Sequence, residues 1–398
     1  MKRTFMLLVL MACTNMLYAI PPLPPLGYRW VLQAEFSDEF DGNRLDKGKW
    51  YTHYPGWEGR RPALFEPGAV SQQNGMLLIR SGVLDKPRDG FTMYGGAVVS
   101  KSAAHFGYYE CKFKASKLNM STTFWMSNDK VNLKSTDCPK DQYSQELDIQ
   151  ECVGGNPVFD KFINGMNSNT HFRYIKCEGG KENFISKGAG ATLQTSVSDD
   201  FHTYGAWWKN AEEVAFFADG KFHQSVKFRK DVSEQPFDRP MHINMVTETY
   251  DWQPAPSEDE LRNDQLNTAS YDWIRAYKLV PVNQRVKESE TDLDLYENRL
   301  ELTNVPGSVF EGKALEVEYV YTANENAKLQ YTIRELADKK GNDLQAQVLD
   351  AYQGYGRGHA TIKLEFVPDK AKNYQLEARL VHKRTGKTLS IVTYDLSY

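Results

Sequence analysis

Cysteine is scarce in this chain, and its spacing carries no metal signature. There are five in 398 residues, and no two form a C-x-x-C pair, which argues against a structural zinc site. Basic runs are missing as well. The 48 Lys and Arg against 52 Asp and Glu leave a net charge of −4, so neither balance nor patterning suits a nucleic-acid partner. Beyond the N-terminus no apolar run is long enough to cross a bilayer. Long helical periodicity is also absent. Short alternating runs broken by Gly, Asn, Asp and Pro take its place, and they read as an all-β chain.

Met1-Lys2-Arg3 precedes an apolar run from Phe5 to Leu17, which ends Leu17-Tyr18-Ala19. Residues 1–19 are expected to be a secretory signal peptide, cleaved after Ala19, too short for a membrane span. The product is exported, to the periplasm or outside the cell. The alternative is an outer-membrane lipoprotein anchored at Cys13. Met11 in Leu10-Met11-Ala12-Cys13 departs from a lipobox and disfavours it. An oxidising compartment permits disulfides. Cys138 and Cys177, in turn-rich stretches, can pair. Cys111 and Cys152, in strand-like runs, are expected as buried thiols.

Residues 20–282 carry many short strand-like runs, with a hairpin signal at Asp219-Gly220 between Phe217 and Phe222. Strands without helices imply a sandwich of two sheets. Residues 283–298, with the core Glu288-Ser289-Glu290-Thr291-Asp292-Leu293-Asp294, read as a linker. Residues 299–398 hold about seven further alternating runs, the spacing of a smaller immunoglobulin-like β-sandwich. Tyr352, Tyr355 and Arg357 in its Gly-rich stretch can touch sugar, but a spacer role is the simpler expectation. Aromatics make up 13 % of the chain, a high share; core packing accounts for most of them, and the surplus can serve as sugar-stacking platforms.

The run Gln145-Glu146-Leu147-Asp148-Ile149-Gln150-Glu151-Cys152 concentrates the chemistry. On a strand, Glu146 and Asp148 project to one face while Leu147 and Ile149 point to the other. Glu151 has the wrong parity, and a one-residue β-bulge between Asp148 and Glu151 would restore it. Two carboxyl groups across a cleft, roughly 5–5.5 Å apart, are what retaining glycoside hydrolysis needs. A third acid between them can share a proton with one and help hold the other's pKa high. The bland alternative is a solvated acidic face, and three acids at these offsets arise about once by chance in a chain this acidic. The apolar opposite face, Thr123-Phe124-Trp125-Met126 upstream and Val153-Gly154-Gly155 downstream favour the active strand.

Glu146-Leu147-Asp148-Ile149-Gln150-Glu151 resembles the bulged active-site signature of glycoside hydrolase family 16. Phe36-Ser37-Asp38-Glu39-Phe40-Asp41-Gly42 with Lys49-Trp50 resembles the family's first strand, and Tyr271-Asp272-Trp273-Ile274-Arg275-Ala276-Tyr277 its last. Among its members the β-agarases look most similar. The segments that carry this likeness are Gly59-Arg60-Arg61-Pro62-Ala63-Leu64-Phe65, Ser121-Thr122-Thr123-Phe124-Trp125, Asn167-Ser168-Asn169-Thr170-His171, Tyr204-Gly205-Ala206-Trp207-Trp208-Lys209 and Thr247-Glu248-Thr249-Tyr250-Asp251-Trp252. The resemblance spans roughly residues 30–280. It implies a β-jelly-roll whose concave face binds a linear polysaccharide, with Glu146 as nucleophile, Asp148 as assisting acid and Glu151 as acid/base. The implied reaction is endo-hydrolysis of a β-1,4 galactosidic bond in red-algal galactan. Agarose comes first and sulfated porphyran second. The rival from another class is a non-catalytic sugar-binding protein on the same sandwich.

Around these acids, Trp125 is expected as the floor beside the reacting sugar, against simple core packing. Trp57, in a turn-rich loop, is expected as a sugar platform. Arg60 or Arg61 would bond hydroxyls or pair with a sulfate, the alternative being a surface salt bridge. Arg173 also keeps a sulfated sugar open. His171 would contact the sugar or the acid cluster, or serve a structural role. The resemblance places Glu248 and Trp252 at the cleft, with Glu248 on substrate hydroxyls. Of Trp207 and Trp208, one should be core and the other can face the cleft. No cofactor is required. The family's structural calcium, if held, would sit on the convex face at Asp272 with an acid near Glu35 or Asp38. A monomer is expected.

Overall fold

The computed structural model describes residues 21–132, 142–175, 182–229, 237–287, 290–336 and 341–398. The expected pair Cys138 and Cys177, like Cys13 and the leader, lies outside the described residues. Two antiparallel sheets stack on each other. The first runs in the order Glu182–Ser186, Gly165–Ile175, Gln142–Val153, Ser121–Ser127, His242–Thr247, Phe91–Ser100, Trp50–Tyr51. The second runs Lys221–Lys227, Glu213–Ala218, His202–Trp208, Gly107–Lys114, Thr268–Pro281, Tyr28–Leu32, Thr291–Leu295.

Period-two patterning explains the stacking. Phe124, Met126, Leu147 and Ile149 of the first sheet meet Tyr109, Cys111, Phe113, Tyr204, Ala206 and Trp208 of the second in one buried cluster. Burying this apolar surface, at about 25 cal/mol per Å², is what holds the sheets together. Cys111 and Cys152 are free and buried, as expected. Trp208 is core, whereas Trp207 packs edge-on against Trp30, 5.4 Å away, on the outer face of the second sheet. It therefore does not face the cleft. Phe217 and Phe222 flank a turn at Asp219 and Gly220, both with positive φ, as a tight hairpin requires.

The stretch 283–298 is not a simple linker. Thr291–Leu295 forms a strand on the free edge of Tyr28–Leu32 and extends the second sheet. Unpaired strand edges recruit chain segments in this way. The C-terminal unit then stacks Arg299–Asn304, Leu315–Ala323 and Gly354–Ile362 on Asn342–Asp350, Ala327–Glu335, Tyr374–His382 and Thr388–Leu396. That is the immunoglobulin-like arrangement, with a core of its own around Leu329, Tyr331, Leu376 and Leu380.

One buried acid lies in the second sheet, away from the cleft. Glu110 accepts hydrogen bonds from Tyr108 (3.2 Å) and Tyr277 (3.4 Å). Burial pushes its carboxyl up to about 8, against a partial lowering by Arg275. The folded chain therefore keeps this proton above the pH at which the unfolded chain, with an ordinary carboxyl near 4.5, releases it. Stability should fall as pH rises between those two values. Glu110→Gln removes that slope. Urea denaturation at about pH 5 and about pH 9 should show the variant gaining on the parent by on the order of a few kcal/mol at the higher pH. An equal difference at both would show that Glu110 ionises freely in the fold.

Candidate active site

The outer, concave face of the first sheet carries a cleft of about 780 Å³. Glu146, Asp148 and Glu151 all line it. The bulge that brings them together is present. Asp148 pairs with Trp125 on the neighbouring strand, but Gln150 pairs with Phe124, so the strand carries one extra residue at Ile149. Leu147 and Ile149 enter the core. Gln150 is also buried, its side chain donating to Gly165 O (3.0 Å) and accepting from Asn167 N–H (2.7 Å). Two consecutive inward residues return Glu151 to the cleft face.

Each acid has a different environment. Glu146 meets Arg173, whose Nη2 lies 3.2 Å from Oε2. Asp148 is buried, and its Oδ2 lies 2.8 Å from His171 Nε2, at ion-pair distance but off the line of a hydrogen bond. Burial and the charge of Glu146 hold the Asp148 carboxyl well above the usual range, so it keeps a proton. One oxygen or nitrogen from each of Glu146, Asp148 and His171 lies within 4.8 Å of the others. Glu151 accepts a hydrogen bond from Tyr250 OH (2.8 Å) on Oε1. Its carboxyl is pushed up to about 8, by burial first and then by Asp148 and Glu146, while Tyr250 and His171 pull it down. Burial lowers His171, so its imidazole is neutral at neutral pH.

The cleft wall is built by the loop from Tyr54 to Phe65. Gly59 has φ +116°, and a side chain there would collide with Ala63 O, so the tight turn requires glycine. Thr249 Oγ1 donates to Arg60 O (2.6 Å) and pins the turn. Arg60 Nε then reaches Glu248 (3.0 Å), and its Nη1 reaches Asp251 (3.3 Å). Glu248 is pushed up to about 7, by burial first, with Arg60 opposing. Trp57 stands edge-on to Tyr54 (5.2 Å) and Phe65 (5.0 Å), and Trp125 stacks on Tyr54 at 5.9 Å and 15°. Tyr54 also shares a hydrogen bond with Ser127 (3.0 Å).

Of the residues singled out from the sequence, Trp57, Arg60, Arg61, Trp125, Arg173 and Glu248 line the cleft with the three acids. Arg61 donates to Asp89 O (2.6 Å) and lies over Phe91, so the chain itself holds its Nε. His171 is buried, with its Nε2 beside Asp148 in the acid cluster, and is not among the residues that line the cleft. Trp252 is off the cleft lining. It stacks on the back of Tyr250 (4.9 Å, 20°) and against Phe162 (4.7 Å). Tyr54 and Tyr250 line the cleft as well. The sequence signals for them are the parity Tyr250 shares with Glu248 and the turn-rich segment Tyr54 shares with Trp57, whereas nothing around Phe184 marks it.

Asp272 does not suit calcium. Lys112 Nζ lies 2.8 Å from its carboxylate and already supplies the positive charge. Asp38 spends one oxygen on Phe40 N–H (2.9 Å) and the other on the Trp50 indole (3.0 Å). Neither residue joins a cation-binding cluster among the described residues, where Glu146, Asp148 and His171 form the one such group.

This arrangement has known counterparts. The sequence family described as "Beta-porphyranase A-D, GH16 domain" matches residues 30–279. The chain belongs to glycoside hydrolase family 16. A second family, "Porphyranase-associated domain", matches residues 300–393. Over 385 residues the chain is 37 % identical to "Beta-porphyranase D" of Zobellia galactanivorans, covering 93 % of this chain and 89 % of that protein. A crystal structure of a β-porphyranase from Bacteroides plebeius superposes with a TM-score of 0.61 at 40 % identity, over 67 % of this chain and 97 % of that one. The agarase likeness is real but more distant. The "Extracellular agarase" of Streptomyces coelicolor is 25 % identical over 295 residues, 66 % of this chain and 88 % of the agarase. The relatives described as β-porphyranases are thus more similar to this chain than the agarase is, the reverse of the order drawn from the agarase-like segments.

Proposed function

We propose that this family 16 glycoside hydrolase is an endo-acting β-porphyranase, cutting β-1,4 galactosidic bonds in sulfated red-algal galactan with retention. The observation that carries the substrate is the match of both units of the chain to porphyranase families, with a relative of that description at 37 % identity along almost its whole length. The lining also offers basic side chains, Arg60, Arg61, Lys130 and Arg173, among its six acids, and guanidinium groups suit sulfate esters. Agarose is the second reading, favoured by the agarase relative and by the aromatic wall of Trp57 and Trp125.

The chemistry follows from three environments. Ionised Glu146 attacks the anomeric carbon. As the glycosidic C–O bond breaks, Glu151 passes its proton to the leaving oxygen. The Tyr250 hydroxyl donates to Oε1, which leaves Oε2 available to carry this proton. The resulting ester between Glu146 and the sugar is then attacked by water. Glu151, now a carboxylate, takes the water's proton, and Glu146 leaves as a carboxylate. Asp148 keeps its own proton throughout and lends it as a hydrogen bond to whichever partner carries more charge. A leader ending at Ala19 would deliver the enzyme, as a monomer, to the compartment where such a polymer is met.

Product analysis on porphyran and on agarose, incubated separately with the purified chain, tests the substrate. Sulfated oligosaccharides from porphyran, with pure agarose untouched, are the expected result. Neutral oligosaccharides from agarose alone would transfer the assignment to agarase. No cleavage of either would remove the galactan reading and restore the binding-protein alternative.

A further inference from the structure

We infer that Phe184 is a positioning residue for the two basic groups that contact the acid cluster. This rests on the roles proposed for Glu146 and Asp148. The strand Glu182–Ser186 lies at the sheet edge beside Gly165–Ile175, with Phe184 opposite Arg173 and Ser186 opposite His171. Directly opposed residues share a face and diagonal neighbours stay within aromatic reach, so one ring can meet both basic residues. It does. The imidazole of His171 stacks on Phe184 at 4.5 Å and 18°, and the guanidinium carbon of Arg173 lies 4.7 Å from the ring centroid. The same two groups meet Asp148 (2.8 Å) and Glu146 (3.2 Å).

Two features give this contact weight. Phe184 is 52 % exposed, so burial in the core does not account for its position. His171 is buried, yet its Nδ1 has no hydrogen-bond partner among the described residues. A histidine beside a carboxylate is ordinarily oriented by a bond to its second nitrogen. Here the stacked ring takes that part. Arg173 is a long side chain, and cation–π contact with Phe184 restricts its swing and keeps it over Glu146. The titratable and charged groups that face Glu146 and Asp148 are Arg173, His171, Glu151, Glu248 and Tyr54, and with the imidazole neutral a displaced Arg173 takes the positive charge away from the nucleophile.

The test is the pH dependence of kcat and kcat/KM for Phe184→Ala, Phe184→Leu and Phe184→Trp. For both Ala and Leu the expected result is a fall in kcat of about ten- to a hundredfold with KM within about threefold, the acid limb displaced to higher pH, and both restored in Trp. If Ala fails to fold, Leu decides, since it keeps bulk but loses the ring face. A loss confined to KM would overturn the inference and make Phe184 a sugar platform. A profile like the parent's would also overturn it. Glu146→Ser in the same assay separates the two levels: full turnover there would sink the nucleophile assignment itself. A dead Glu146→Ser beside a parent-like Phe184→Leu would sink the positioning role alone.

Discussion

Replacing Glu146 with Ser should lower turnover at least about ten-thousandfold, equivalent to about 5 kcal/mol of transition-state stabilisation. The side chain lies on the cleft face, partly exposed, beside the Arg173 guanidinium, while its neighbours Leu147 and Ile149 anchor the strand in the core. Serine is smaller and neutral, so it removes the carboxylate proposed as the nucleophile without burying an unpaired charge. The strand, its bulge and the cleft wall do not depend on Glu146. Binding of oligosaccharide, followed by tryptophan fluorescence from Trp57 and Trp125, should therefore persist. Turnover within about tenfold of the parent would show that another group attacks the sugar.

Glu151→Gln should cost about a thousandfold, because glutamine keeps the shape but has no transferable proton. The second signature is the pH profile. The carboxyl of Glu151 is pushed up to about 8, so in the parent it is protonated below that pH and lost as a donor above it. Parent activity should decline as pH rises through about 8, and the residual activity of Glu151→Gln should lack that decline. If the variant keeps an alkaline limb at the same place, a different acid supplies the proton. Glu248, pushed up to about 7 and braced by Arg60, would be the next candidate.

Local chemistry was the legible part of this chain. Alternation around Leu147 and Ile149 placed a strand with one apolar face. The need to seat three carboxyls together demanded a bulge, and the register break opposite Phe124 is that bulge. Contacts between segments distant in sequence were not legible. Nothing near Asp272 announces that Lys112 neutralises it. Nothing in the Thr247–Trp252 segment shows that Trp252 turns behind Tyr250 while Glu248 and Tyr250 face the cleft. The acidic stretch 283–298 reads as solvated linker because its strand uses backbone bonds to an existing edge, which composition does not record. Phe184 was invisible for a related reason. Its importance lies in what it touches across the sheet, and an isolated phenylalanine carries no such label.

The most direct test of the central claim is the anomeric configuration of the first products. Proton magnetic resonance during the early minutes of porphyran cleavage should show new galactose reducing ends appearing first as the β anomer, with the α anomer growing in by mutarotation. That order is what attack by Glu146 followed by water predicts. The α anomer appearing first would mean single displacement by water, and would contradict the nucleophilic role of Glu146 and the account built on the bulged strand.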